Sequence, residues 1–92
     1  MSEMKRKIIE YHLKREIDEM KAKYPEGVLD EVFKDQLLFP FPLLRYRVDV
    51  MIDNDKDPEP IMDFIYNYKL ELFDAVMKLA RQSTLVCEVR ET

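Results

Sequence analysis

Residues 43 to 52 read LLRYRVDVMI, and the predicted fold depends on how this stretch is interpreted. Charged and apolar residues alternate along most of it, so alternate side chains would project to the same side of an extended chain. One side would carry Tyr46, Val48, Val50 and Ile52. A two-residue period in a run rich in valine, isoleucine and tyrosine is typical of a half-buried β-strand. We therefore predict a strand over residues 43 to 52.

A second alternating run, TLVCEVR, follows at residues 84 to 90. In a strand, Leu85, Cys87 and Val89 would point inward and the intervening residues outward. Between the two runs, residues 58 to 82 have the apolar period of a long helix. Such a helix returns the chain to the end at which the first strand began. The two strands are therefore predicted to pair in parallel through a right-handed crossover.

The N-terminal half has the three- and four-residue apolar spacing of helices. A first helix is predicted over residues 3 to 23, with an apolar stripe of Ile9, Leu13, Ile17, Met20 and Tyr24. A second, shorter helix runs from Pro25 to Leu38, where the sequence FPFP at residues 39 to 42 would end it. The predicted fold class is α+β, one small domain over residues 1–92 with the element order ααβαβ.

The long predicted helix is apolar on two sides. One stripe contains Ile61, Ile65, Tyr68, Leu72, Val76 and Leu79, and the other contains Met62, Tyr66, Phe73, Met77 and Ala80. The second stripe either packs on the N-terminal helices of the same chain or forms a subunit interface. A two-stranded sheet is rarely stable alone, and dimerisation would complete it. We predict a homodimer with Met62, Tyr66, Phe73 and Met77 in the interface.

The acidic stretch DNDKDPEP at residues 53 to 60 invites comparison with a calcium-binding loop. The glycine that such a loop needs at its sixth position is replaced by Pro58, and the glutamate at its last position by Phe64. A high-affinity site is thereby excluded, and the residues left as weak metal ligands are Asp53, Asp55, Asp57 and Glu59. The structural interpretation is a turn in which Asp57 caps a helix that begins at Pro58.

Composition excludes several classes of function. The chain has a net charge of -4, one glycine, one histidine and one cysteine. One glycine cannot form a phosphate-binding loop or a dinucleotide fingerprint. One cysteine, Cys87, excludes an intrachain disulfide and, with no signal peptide, indicates the cytoplasm. An acidic balance opposes general nucleic-acid binding, and no apolar run is long enough to cross a membrane.

The sequence therefore predicts a small acidic protein that is not an enzyme and carries no cofactor. The predicted function is a non-catalytic protein-binding or regulatory module, acting as a homodimer or as a subunit of an assembly. One alternative is a divalent-metal-binding protein, or a metal-dependent enzyme, that uses the acidic corner at residues 53–59. The other is a weak nucleic-acid-binding module that uses the basic residues of the first helix, Lys5, Arg6, Lys7, Lys14 and Arg15.

Overall fold

The computed structural model describes residues 3–54 and 56–91, and side chains up to residue 82. These residues form the helices α1 (Glu3–Lys23), α2 (Glu26–Lys34), α3 (Phe41–Asp53) and α4 (Pro58–Glu91). No strand occurs in the described ranges. The predicted α+β fold is therefore wrong, and the architecture is all-α.

The stretch LLRYRVDVMI belongs to helix α3. Its buried residues are Phe41, Leu44, Val48 and Ile52, which recur every three or four positions. Tyr46 and Val50, predicted to face inward, are 64% and 38% exposed. The alternating pattern arose because apolar residues also occupy the outer side of this helix. The prolines of FPFP begin α3 rather than preceding a strand: Pro40 is the N-cap and Pro42 lies in the first turn, where a missing N–H does no harm.

The second predicted strand, residues 84 to 90, is also wrong because α4 continues without interruption to Glu91. No glycine or proline follows Pro60, so the sequence contains no residue that must end the helix. The predicted orientation of Leu85, Cys87 and Val89 lies outside the described side chains. Because neither predicted strand is present in the described residues, the predictions that depended on the strands are also wrong. These are the parallel pairing, the crossover and a sheet completed by dimerisation.

The helices α1 and α3 run in opposite directions. Arg6, near the start of α1, donates a 2.8 Å hydrogen bond to Asp53 at the end of α3. Lys21, near the end of α1, lies 5.7 Å from the ring centre of Phe41 at the start of α3. Helix α4 contacts all three other helices and runs in the same direction as α1. It is therefore the central element of the bundle.

A shared core joins the four helices, and it is drawn almost wholly from apolar positions. Helix α1 contributes Ile9, Leu13, Ile17 and Met20, as its period predicts, and α4 contributes Ile61, Ile65, Tyr68, Leu72 and Ala75. Each fully buried aliphatic side chain in such a core contributes roughly 1.5–3 kcal/mol. The predicted helix and core stripe of α1 are thus confirmed.

The connection from α2 to α3 is closed by aromatic packing. The ring centres of Phe39 and Tyr68 are 5.0 Å apart, and those of Phe33 and Phe41 are 5.2 Å apart. The Tyr68 hydroxyl donates a 2.6 Å hydrogen bond to the Phe39 carbonyl oxygen. Burial of this side chain raises the pKa of Tyr68, and the charge of Glu71 adds to the increase. The aromatic residues of FPFP are therefore packing residues that fix the start of α3 against α4.

Helix α4 is longer than the bundle around it. Its 34 residues span about 51 Å at 1.5 Å per residue, whereas the 21 residues of α1 span about 31 Å. The end of α1 lies beside the middle of α4, because Lys23 contacts the ring of Phe73. About half of α4 therefore extends past α1, which accounts for a molecule of 60 × 21 × 19 Å.

Candidate interaction surface

Helix α4 buries one face and exposes large apolar side chains on the opposite one. Tyr66 is 58% exposed, Leu70 48%, Phe73 45% and Met77 37%. We call these four residues the α4 outer stripe. At about 100° per residue, the centre of the stripe lies about 150° around the helix from the centre of the buried face. The stripe cannot reach the core of its own chain while the buried face is packed there.

The structure separates the residues that the sequence predicted for an interface. Tyr66, Phe73 and Met77 are exposed and lie together on the α4 outer stripe, whereas Met62 is half-buried and packs against the core. Leu70 belongs to the stripe and was missed by the sequence analysis. Its position four residues after Tyr66 and three before Phe73 was the available signal.

A shallow groove runs along one edge of the stripe, between α1 and α4. It is lined by Glu19, Met20, Lys23, Tyr24, Tyr66, Lys69, Leu70 and Phe73. The Lys23 ammonium lies 5.5 Å from the ring centres of both Tyr24 and Phe73. A cation over aromatic faces at this distance is attracted by the ring electrons. The groove therefore offers a partner both apolar surface and a positive charge at its rim.

An ion pair beneath the groove holds α1 against α4. Glu16 is buried, at 9% exposure, and its Oε2 atom contacts the Lys69 ammonium. Among the described residues no other donor reaches this oxygen. The hydrogen bond to Glu16 raises the pKa of Lys69. Because a buried carboxylate without its partner is costly, this pair fixes how α1 and α4 are placed next to the stripe.

The α4 outer stripe is not the only exposed apolar surface. Helix α1 exposes Met4, Ile8 and Tyr11, and helix α3 exposes Leu43, Tyr46 and Val50. Each of these sets has three residues, whereas the stripe has four and adjoins the groove. Single exposed apolar residues are normal on soluble domains. The larger number of exposed apolar residues therefore favours α4, and Tyr46 provides a matched control for Tyr66.

The acidic corner at residues 53–59 contains the weak metal candidates. Asp53 accepts the hydrogen bond from Arg6, while Asp57 and Glu59 are exposed. Asp55 lies outside the described residues. Within the described part of the chain, no three His, Cys, Asp or Glu side chains are grouped so that they could hold a metal ion. The contact of Asp53 with Arg6 gives this end of the corner a role in holding α1 and α3 together.

The basic residues of α1 are largely engaged with acidic neighbours. Arg6 contacts both Asp53 and Glu10, at 2.8 and 4.0 Å. Lys7 lies 4.0 Å from Glu3, and Arg15 lies 3.4 Å from Glu19. These pairs are exposed and stabilise the fold only slightly. They nevertheless reduce the positive potential that a nucleic-acid-binding helix would present.

No helix in the searched part of the structure is long and apolar enough to cross a lipid bilayer. Comparison with protein-family models, with curated proteins and with solved structures found no match for this chain.

Proposed function

We propose that this chain is a non-catalytic protein-interaction module that acts as a homodimer or as a subunit of a larger assembly. The α4 outer stripe is the contact surface. The proposal rests on four large apolar side chains, between 37% and 58% exposed, that line one side of the central helix. A continuous apolar surface with polar residues at its rim is typical of protein interaction sites.

The spacing within the stripe supports a helix as the bound element. Tyr66, Leu70, Phe73 and Met77 follow one another at intervals of four, three and four residues. This is the spacing of a coiled-coil seam, in which apolar residues of one helix insert between those of another. The groove beside α1 widens the same surface, so a docked helix would contact both α4 and the end of α1.

The proposal assigns no reaction and no cofactor to the chain, on the basis of composition. A single glycine and a single histidine leave few residues for phosphate binding or acid–base catalysis. A single cysteine, Cys87, is consistent with a place in the reducing cytoplasm. The metal-binding and nucleic-acid-binding alternatives have no specific contact among the described residues in their favour.

A matched pair of variants tests the proposal by light scattering. Wild-type protein is expected to show a mass about twice 11.1 kDa at micromolar concentration. Tyr66→Glu should shift it to the monomer, because the variant places a charge within the apolar contact. Tyr46→Glu makes the same change on α3, where the tyrosine is 64% exposed, and should leave the mass unchanged. Far-ultraviolet circular dichroism checks that both variants keep their helices.

Two outcomes would contradict the proposal. A wild-type mass of 11.1 kDa at all accessible concentrations would show that the protein is a monomer. If Tyr46→Glu dissociated the dimer and Tyr66→Glu did not, the interaction surface would lie on α3 and not on α4.

A further inference from the structure

Charges of opposite sign stand at the two ends of the α4 outer stripe. Asp63 lies three residues before Tyr66, and Arg81 lies four residues after Met77. Both are exposed. They are separated by about five full helical turns, so they lie on the same side of α4, within about 50° of the stripe's centre. An acidic and a basic residue therefore stand at opposite ends of the stripe, and the exposed Asp74 is the only other charged residue on this flank between them.

This pattern is complementary to itself when reversed. If a second α4 lies antiparallel on the first, Met77 meets Tyr66 of the second copy, and Leu70 meets Phe73 of the second copy. In the same register Asp63 lies level with Arg81 of the second copy. The symmetry repeats each contact, because an interface around a twofold axis uses the same patch on both subunits.

We propose that the partner bound by the α4 outer stripe is a second copy of this chain, with its α4 antiparallel to the first. The inference rests on the interaction function proposed above and specifies its partner and orientation. Four apolar contacts, two between Met77 and Tyr66 and two between Leu70 and Phe73, hold the helices together, and an Asp63–Arg81 pair forms at each end. The antiparallel arrangement also opposes the two helix dipoles, which is favourable.

A parallel arrangement of the same two helices leaves these charges without partners of opposite sign. Asp63 would lie level with Asp63 of the second copy, on the other flank of the contact, and Arg81 would lie level with Arg81. The acidic residues at the start of α4, Asp57 and Glu59, would gather at the same end of the dimer. Like charges across an interface disfavour the wrong arrangement more than matched charges increase affinity. The charges therefore select orientation, while the apolar residues supply the attraction.

Charge reversal tests the orientation. Asp63→Arg and Arg81→Asp should each weaken self-association about tenfold, because each replaces two attractive pairs by two repulsive ones. The double variant restores the pairs with exchanged signs and should return the dissociation constant to within about threefold of wild type. The control is Lys78→Asp, which makes the same charge change as Arg81→Asp on the side of α4 that faces Leu37 and Leu38. Sedimentation equilibrium measures all five proteins.

Disulfide formation provides a second measurement in a Cys87→Ser background. Met77 lies within about 10° of the stripe's centre, and in the antiparallel dimer the two Met77→Cys sites are about 16 Å apart along the helices and should not link to each other. A mixture of Met77→Cys and Tyr66→Cys proteins should form the mixed disulfide, because these two positions meet across the contact. In a parallel dimer, Met77→Cys would link to itself.

The outcomes separate this inference from the function on which it rests. A wild-type dimer whose affinity is unchanged by the single reversals, or a dimer in which Met77→Cys links to itself, overturns the antiparallel orientation and leaves the interaction function standing. A wild-type monomer overturns the homodimer itself. Weakening by both single reversals with recovery in the double variant supports the inference.

Discussion

At the residue scale, Tyr68 connects the core to the loop before α3. Its hydroxyl donates to the Phe39 carbonyl oxygen, and its ring packs against Phe39 and Phe41. No other side chain of the described residues joins a fully buried position in α4 to the backbone of that loop. The hydrogen bond and the aromatic contacts together set the position at which the chain enters α3.

Removing the Tyr68 hydroxyl should lower stability modestly. Tyr68→Phe keeps the ring and leaves the Phe39 carbonyl without its donor, so the free energy of unfolding should fall by about 1 kcal/mol at pH 7. Urea denaturation followed by circular dichroism measures this change. A loss above about 3 kcal/mol would indicate that the variant repacks the core, and no loss would indicate that the hydrogen bond contributes nothing.

The same variant should change how stability depends on alkaline pH. The pKa of Tyr68 is raised in the folded protein, so the unfolded chain loses this proton first, near its ordinary value of 10.0. Wild-type stability should therefore fall as pH rises above about 10, and Tyr68→Phe should fall less steeply. Lys69 also has a raised pKa and contributes to the same loss in both proteins. Equal slopes for the two proteins above pH 10 would contradict this account.

Gln36 carries the one left-handed backbone conformation among the described non-glycine residues, with φ of 58°. It ends α2 in a Schellman motif, in which the Leu37 N–H bonds to the Val32 carbonyl and the Gln36 N–H bonds to the Phe33 carbonyl. Glycine is the usual residue at this position because a side chain there costs about 1–2 kcal/mol. The strain is local and independent of the interaction surface.

Gln36→Gly should therefore stabilise the monomer. Relieving the left-handed strain stabilises the folded chain by more than the greater entropy of glycine stabilises the unfolded chain. The free energy of unfolding should therefore rise by about 0.5–1 kcal/mol. Thermal unfolding measures the gain, with Gln36→Ala as the control, since alanine keeps the strain. Equal melting temperatures for the two variants would show that the conformation is not strained.

At the element scale, α3 shows why the sequence predicted a strand. The positions 44, 46, 48, 50 and 52 are all apolar, which satisfies a two-residue period, and 41, 44, 48 and 52 satisfy a helical one. Both patterns are present because Tyr46 and Val50 are apolar on the outer face. A local sequence pattern does not show which apolar residues a neighbouring helix will cover. In this protein, packing against α1 and α4 makes residues 41 to 53 helical.

Two valines in α3 distinguish the helix from a strand. Val48 is fully buried and Val50 is 38% exposed, although a strand would place both on the same side. Val48→Thr should lower the free energy of unfolding by about 1–2 kcal/mol, because it buries a hydroxyl. Val50→Thr should change it by less than about 0.5 kcal/mol. Equal losses in chemical denaturation would favour the strand.

For α4, the sequence predicted the start at Pro58 and most of the core stripe, and the structure confirms both. It did not predict the end, because a helix with no glycine or proline after Pro60 has no local stop signal. Three predicted interface residues lie on the outer stripe, while Leu70 was missed. Exposure of that residue depends on where α1 lies, and α1 is placed by contacts such as Glu16–Lys69 that join distant parts of the chain.

At the scale of the whole molecule, three helices pack around one face of α4 and leave its opposite face open. A chain of 92 residues has a limited core, and association is a common way to bury further apolar surface. The fold and the proposed function are thus linked, because the arrangement that buries Ile61, Ile65 and Leu72 is the one that exposes the outer stripe.

The central claim is that this outer stripe is where the chain meets its partner. A dilution series monitored by ¹H–¹⁵N correlation spectra tests it directly, since amides at a self-association surface shift as the dimer dissociates. We predict concentration-dependent shifts at residues 63 to 81 of α4 and around Lys23, with little change at Leu43, Tyr46 and Val50. Spectra that do not change with concentration, or shifts confined to α1 and α3, would contradict the claim.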